Sequence, residues 1–323
     1  MLTKEDITTA YRLFLGRDPE NQDVVNNLLQ TVQSYQQMRD QFLQSHEFLQ
    51  SASEFLGEQQ HMRLRHPLLP HIPVEVDVSE EVLAAMFARI HKEWDLLAHN
   101  QPYWAVLTQN QYYLAHFNDH RAEFYASGAY AAEIFLAALR RNQINPKQLQ
   151  SCLDYGCGVG RVTKFLAKQF PSVIGIDISQ KFLDIARETM DSEKITNVSL
   201  LQCDRLQFLE TLDPVDAIFS IITLQHNSPP VIAWTIKKLL SALKPGGVAY
   251  FQIPTYRNGY LFEAERYLNS TPPDTLEMHF FPQHEVFKLI EDANCSCLEV
   301  REDGMVAEEH FTLSNTFLVQ KNI

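Results

Sequence analysis

The 28 residues from Ser151 to Ile178, SCLDYGCGVGRVTKFLAKQFPSVIGIDI, constrain this chain more than any other stretch. They read as a short apolar strand, a glycine-rich turn, a helix and a second apolar strand that ends in an acid. Gly156, Gly158 and Gly160 fall where the chain reverses and where a ligand must approach the backbone, conditions only glycine meets freely. Asp177 closes the second strand at about the distance where a strand–turn–helix–strand unit holds a ribose by its hydroxyls.

A dinucleotide fingerprint G-x-G-x-x-G would need glycine at position 161, where the chain has Arg161. The G-x-G-x-G that stands there suits a nucleoside with no pyrophosphate to cradle. From about Gly128 to the C-terminus the chain resembles class I S-adenosylmethionine-dependent methyltransferases. LDYGCGVG and GIDIS match the first two motifs of that family. Gln202–Leu206 (QCDRL), Asp216–His226 (DAIFSIITLQH) and Leu243–Gly247 (LKPGG) match the next three, in order and at the right intervals. The resemblance implies a Rossmann-like α/β fold, a doubly wound and mostly parallel seven-stranded sheet, with S-adenosylmethionine as cofactor. The expected strands lie near 151–155, 173–177, 198–202, 216–222 and 247–253, followed by a hairpin near 296–302 and 312–320. Helices are expected near 160–169, 180–190, 206–211, 230–243 and 283–293.

At 323 residues the chain can bury one large core and a smaller one. Residues 1–65 read as a separate all-α module. Thr3 is a candidate N-cap with Asp6 three residues on, Gly16-Arg-Asp-Pro19 stops the first helix, and two more follow from Asp23 and Ser34. The run YRLFLGRDPE to FLQSHEFLQS is similar to a small bacterial helical domain of unknown function that often accompanies glycosyltransferases. The module is a candidate docking surface for a protein partner or for self-association. Prolines 67, 70 and 73 mark an extended linker over 66–78. Residues 79–145 then read as a helical, aromatic-rich lid, and 146–323 as the cofactor-binding domain. Pro254 to Phe281 is an insertion long enough to shape a substrate site.

A net charge of −13 opposes nucleic acid as substrate. No apolar run approaches the roughly 20 residues of a membrane span, and the N-terminus lacks a signal core. Five scattered cysteines, with Cys152, Cys157 and Cys203 expected on sheet edges, fit a reducing cytoplasm and no zinc site.

The resemblance assigns the site residue by residue. Asp154 and the backbone of Gly156, Cys157, Gly158 and Gly160 are expected at the amino-acid end of the cofactor. Asp177 is expected to accept from both ribose hydroxyls. Asp204 should read the adenine amino group, Ile178 and Ile221 should complete the lining, and Tyr125 should lie against the methionine end. Asp216, at the far end of its strand, reads as structural. Methyl transfer needs alignment, exclusion of water and, for a hydroxyl acceptor, removal of a proton. Histidine suits that last task. His226, just after the fourth strand, is the first candidate base and His279 the second. These features imply O-methylation of a glycan or other small-molecule acceptor. The alternatives are a natural-product enzyme whose N-terminal domain docks a partner, or a scaffold that keeps the fold without turnover.

Overall fold

The computed structural model describes residues 2–43, 45, 47–48, 70–271, 276–306 and 312–323, which fall into two compact units divided at Leu69/Pro70. The first unit holds helices α1 (Lys4–Ala10), α2 (Gln22–Thr31) and α3 (Tyr35–Leu43). Thr3 and Asp6 form a reciprocal capping box at the start of α1. Gly16, at φ +68°, ends the π-helical turn Tyr11–Leu15 that continues α1. Ile7, Ala10, Val25, Met38 and Phe42 make a small core of their own. The expected third helix is therefore present, while part of its SHEFLQ continuation lies outside the described residues.

The proline-rich stretch differs from a free linker. Residues 66–69 lie outside the described residues, but 70–78 belong to the second unit. Val74 bridges Phe262, Glu75 N–H donates to the Phe262 carbonyl, and Val74, Val76 and Val78 pack on the main core. An extended segment with no internal hydrogen bonds leaves its non-proline backbone groups open to partners, so it can strap onto a core as readily as it can span water.

The second unit opens with α4 (Glu80–Asn100), capped by Ser79, and α5 (Phe117–Arg141). Seven strands follow: β1 (Ser151–Tyr155), β2 (Ser172–Asp177), β3 (Val198–Gln202), β4 (Val215–Ser220), β5 (Leu243–Arg257), β6 (Cys295–Asp303) and β7 (Thr312–Lys321). Between them run α6 (Thr163–Leu166), α7 (Gln180–Ser192), α8 (Pro229–Ser241), α9 (Ala264–Asn269) and α10 (Gln283–Asp292). Their order across the sheet is β3-β2-β1-β4-β5-β7-β6, with β7 alone reversed, antiparallel to both β5 and β6. Cys152 thus sits on a central strand, not at an edge, and is fully buried.

Both faces of this sheet are covered, which is why its strands read as continuous apolar runs. Successive residues still alternate between two cores, as the two-residue period of a strand demands. Leu153, Ile218, Ala249, Phe251 and Phe317 point to the layer containing α4, α8 and α10. Cys152, Ala217, Phe219, Tyr250 and Leu318 point to the layer containing α5 and α6. The expected helix over 160–169 shrinks to the four residues of α6. On either side the chain tightens into three-residue turns, with Phe165 N–H bonded to Val162 and Lys168 N–H to Phe165.

Candidate active site

The strand order reverses between β1 and β4, so the loops after β1, β2 and β4 open on one cavity, as expected for a doubly wound sheet. Its floor is Asp154 to Gly158, Asp177 and Ile178. Its far wall is Cys203 and Ile221 to Thr223, with His226 and Asn227. Phe87, Ile90 and Trp94 of α4, with Ala105 and Val106, form the roof. Trp94 lies edge-on to the His226 ring at 5.0 Å.

Asp177 is buried, and each carboxylate oxygen accepts one backbone hydrogen bond. Gly158 N–H donates to Oδ2 at 2.8 Å and Ser179 N–H donates to Oδ1 at 3.0 Å. Burial outweighs these bonds and pushes its pKa up to about 6. Asp154, completely buried, accepts from the Thr163 hydroxyl at 2.7 Å and is pushed up to about 7 by the same desolvation. Two buried acids facing one cavity make it a receptor for a cationic or hydroxyl-bearing ligand.

The three glycines divide their labour. Gly158, at φ +53°, has only Val106 of the roof within 4 Å of where a Cβ would sit, so a side chain there would occupy the cavity. At Gly156 a Cβ would strike Thr223 at 2.1 Å, so this glycine lets the loop after β4 close down. Gly160 lies outside the lining, and a Cβ there would meet Met190 at 2.7 Å and Ala186 at 3.2 Å, both on α7.

Other expected residues are placed differently. Asp204 is exposed, paired with Arg205 at 3.0 Å, and the wall after β3 is made by Cys203 instead. Tyr125 lies beneath the roof, outside the lining, and its hydroxyl meets Thr189 Oγ1 at 2.9 Å. Two neighbours on the same helix reach Arg161 instead. Ser127 Oγ accepts from Arg161 at 3.0 Å, and Gly128 lets α5 run against the Arg161 carbonyl, 2.0 Å from a hypothetical Cβ. Asp216 is structural as expected, accepting from the Gln150 and Ser151 amides and paired with Lys244.

Arg161, which breaks the dinucleotide fingerprint, is a lining residue that the motif pattern does not single out. Here its guanidinium is buried in the cavity lining beside Asp154, with Nε unpartnered, and desolvation lowers its pKa to about 10. A buried cation next to a buried acid is a pair that can grip a zwitterion. Ile178 and Ile221 line the cavity as expected.

His226 lines the cavity and is buried. Its Nδ1–H donates to the Glu277 carbonyl at 2.8 Å, so Nε2 bears the lone pair. Burial lowers its pKa to about 4, well below the neutral titration expected from sequence. His279 lies outside the lining. Its Nδ1 meets the Tyr260 hydroxyl at 2.9 Å, and the rings of Phe262 and Tyr267 enclose it. Glu277, 3.9 Å from His279 Nε2, is tied to Arg89 of α4 at 2.9 Å.

The cavity fits S-adenosylmethionine. Gly158 leaves the floor open to a ligand, Asp177 retains unused lone pairs for a diol, and Asp154 with Arg161 presents opposite charges for an amino acid.

Residues 152–247 match the family model of a methyltransferase domain. A ubiquinone biosynthesis O-methyltransferase of Hydrogenovibrio crunogenus is 34% identical over 153 residues, 42% of this chain and 61% of that relative. The chain therefore spans less than two thirds of that relative's length. One from Aliivibrio fischeri is 27% identical over 201 residues, 56% of this chain and 82% of the relative. The crystal structure of magnesium protoporphyrin IX methyltransferase from Synechocystis, with bound SAH, shares the fold at TM-score 0.51 and 16% identity. That likeness covers 73% of this chain and 99% of the other. Motif order, sheet topology and the matched segment make residues 152–247 the core of a class I S-adenosylmethionine-dependent methyltransferase domain.

Proposed function

We propose that the protein transfers the methyl group of S-adenosylmethionine to the oxygen of a planar, apolar small molecule bearing an acidic hydroxyl. When bound, this cofactor supplies a methyl group on a sulfonium, already activated toward a nucleophile. The residues must then grip, orient and exclude water. Asp177 takes the ribose hydroxyls, Asp154 the amino group and Arg161 the carboxylate, with the Gly156–Gly158 backbone beneath. Cys203 walls the adenine side. A role there for Asp204 would require its side chain to leave Arg205 and turn inward.

The observation that carries the acceptor class is the company of His226. Trp94 packs edge-on against it and Phe87, Ile90 and Ile222 line the same cavity, while Thr223 and Asn227 are the polar side chains on the His226 wall, fewer than a row of sugar hydroxyls calls for. The neutral imidazole is also a weak base, and proton transfer is efficient only where donor and acceptor acidities are near one another. A phenol, with a pKa of about 10, meets that limit better than an aliphatic sugar hydroxyl. The O-methyltransferase relatives support oxygen as the methylated atom. The glycan acceptor suggested by the N-terminal resemblance finds no such support in the lining.

The test is a panel of phenols, catechols, carboxylic acids and sugars with methyl-labelled cofactor. Transfer to a planar phenol is the expected result. Transfer confined to sugars would overturn the acceptor class, and no cofactor binding at all would overturn the function.

A further inference from the structure

We propose that Gln252 and Gln225 form a one-way hydrogen-bond relay that fixes which nitrogen of His226 carries the proton. The relay starts at the backbone N–H of Ile222, which can only donate. It donates to Gln252 Oε1 at 2.9 Å, which sets the orientation of that amide. Gln252 Nε2 must then donate, and does so to Gln225 Oε1 at 3.1 Å and to the Ser314 hydroxyl at 2.7 Å. With its oxygen used, Gln225 turns its nitrogen to His226 Nε2, 3.3 Å away, so Nε2 must accept. At the other end the Glu277 carbonyl can only accept, and it takes Nδ1–H at 2.8 Å. A backbone donor and a backbone acceptor thus bracket three side chains, and both ends demand the same sense. Amide and imidazole orientations are otherwise free choices, but here the two ends remove the choice.

The placement of these groups argues against filler. Gln252 is fully buried on β5 and Gln225 is 2% exposed, where an apolar pair would pack at no desolvation cost. Ile222 holds φ at +55°, a left-handed conformation that a β-branched residue rarely adopts. Ile222 and His226 both line the cavity, so the relay anchors the strained turn and the imidazole together. The contact from Gln225 to Nε2 is at the long end of hydrogen bonding. A hydroxyl donating at shorter range would displace it. Gln252 and Gln225 are positioning residues: neither lines the cavity, and each acts through His226. The catalytic consequence rests on His226 being the base, but the relay itself does not.

The experiment uses the whole protein labelled with 15N-histidine, with His226 assigned by the signal lost in His226→Gln. In the parent, its nitrogens should show a neutral ring protonated at Nδ1. Gln252→Glu and Gln225→Glu keep size and exchange a donating NH2 for an accepting oxygen. Either should reverse the relay and put a proton on Nε2, giving an imidazolium or the Nε2–H ring. Cofactor affinity within about threefold of the parent shows that the variant is folded. Proton gain at Nε2 supports the relay whatever the rate does. On the base reading, kcat toward a phenol should fall about 10²–10⁴-fold in the same variants, with KM little changed. An unchanged kcat with a switched ring would leave the relay standing and remove His226 as base. The relay is overturned if the parent ring carries its proton at Nε2, or if a folded variant keeps the neutral Nδ1–H ring. Should Gln252→Glu fail to fold, Gln225→Glu decides alone.

Discussion

Replacing Asp177 with alanine should separate binding from stability, because two opposing terms meet at that carboxylate. Its pKa, raised from 3.8 to about 6, means that holding it ionised at pH 7 costs about 3 kcal/mol in the unliganded fold. Alanine removes that cost. It also strips an acceptor from the Gly158 and Ser179 amides, at about 1–3 kcal/mol for each amide left unpaired. The two terms nearly cancel, so the unliganded variant should melt within about 5 °C of the parent at pH 7. Its cofactor affinity should fall by about 1.5–3 kcal/mol, because charge-assisted bonds to the ribose are lost. That is roughly a 10- to 150-fold rise in Kd, measured by isothermal titration.

The pH dependence adds a signature. A folded pKa raised above the unfolded one contributes stability that is fully present below about pH 3.8 and lost as pH rises through about 6. The parent should therefore gain stability relative to the variant between pH 7 and pH 5. Its cofactor affinity should rise over the same interval in the opposite sense, as Asp177 and then Asp154 ionise through about 6 and 7. An Asp177→Ala protein that binds the cofactor as tightly as the parent would refute the ribose assignment. Affinity flat from pH 5 to 8 would refute the ionisation argument.

Gly158→Val should abolish measurable cofactor binding while the far-UV spectrum is kept, since its side chain projects into the cavity and toward Val106; normal binding would show that the ligand lies elsewhere. His226→Gln should lose about 10²–10⁴-fold in turnover with cofactor affinity nearly unchanged. With cofactor held saturating at every pH, the parent's turnover should fall as pH drops through about 4, where the buried imidazole protonates, and a histidine limb near pH 6.5 that vanishes in His226→Gln would contradict the burial argument. Removing residues 1–69 should leave a monodisperse, cofactor-binding protein, because the core of the first unit draws on its own helices. Aggregation of the truncated protein on size-exclusion chromatography would show that the two cores depend on one another.

Much of this protein was legible in its residues. The glycine turn, the acid at the end of β2 and the run of apolar strands dictated a doubly wound sheet, because short-range geometry limits what such residues can do. The cap at Thr3 was readable for the same reason. Side-chain destinations were a different matter. Tyr125 and Ser127 are two residues apart on one helix, yet the tyrosine goes to Thr189 and the serine to Arg161. Asp204 follows β3 as expected but turns out to Arg205. Residues 70–78 look like a linker until Phe262, nearly two hundred residues on, supplies the edge that holds them. Histidine protonation was least legible of all. The residue types at 225 and 226 are local, but the Glu277 carbonyl and Gln252, which orients Gln225, come from segments far along the chain. Local sequence determines which conformations a segment can reach, whereas desolvation and hydrogen-bond sense depend on what the fold brings against it.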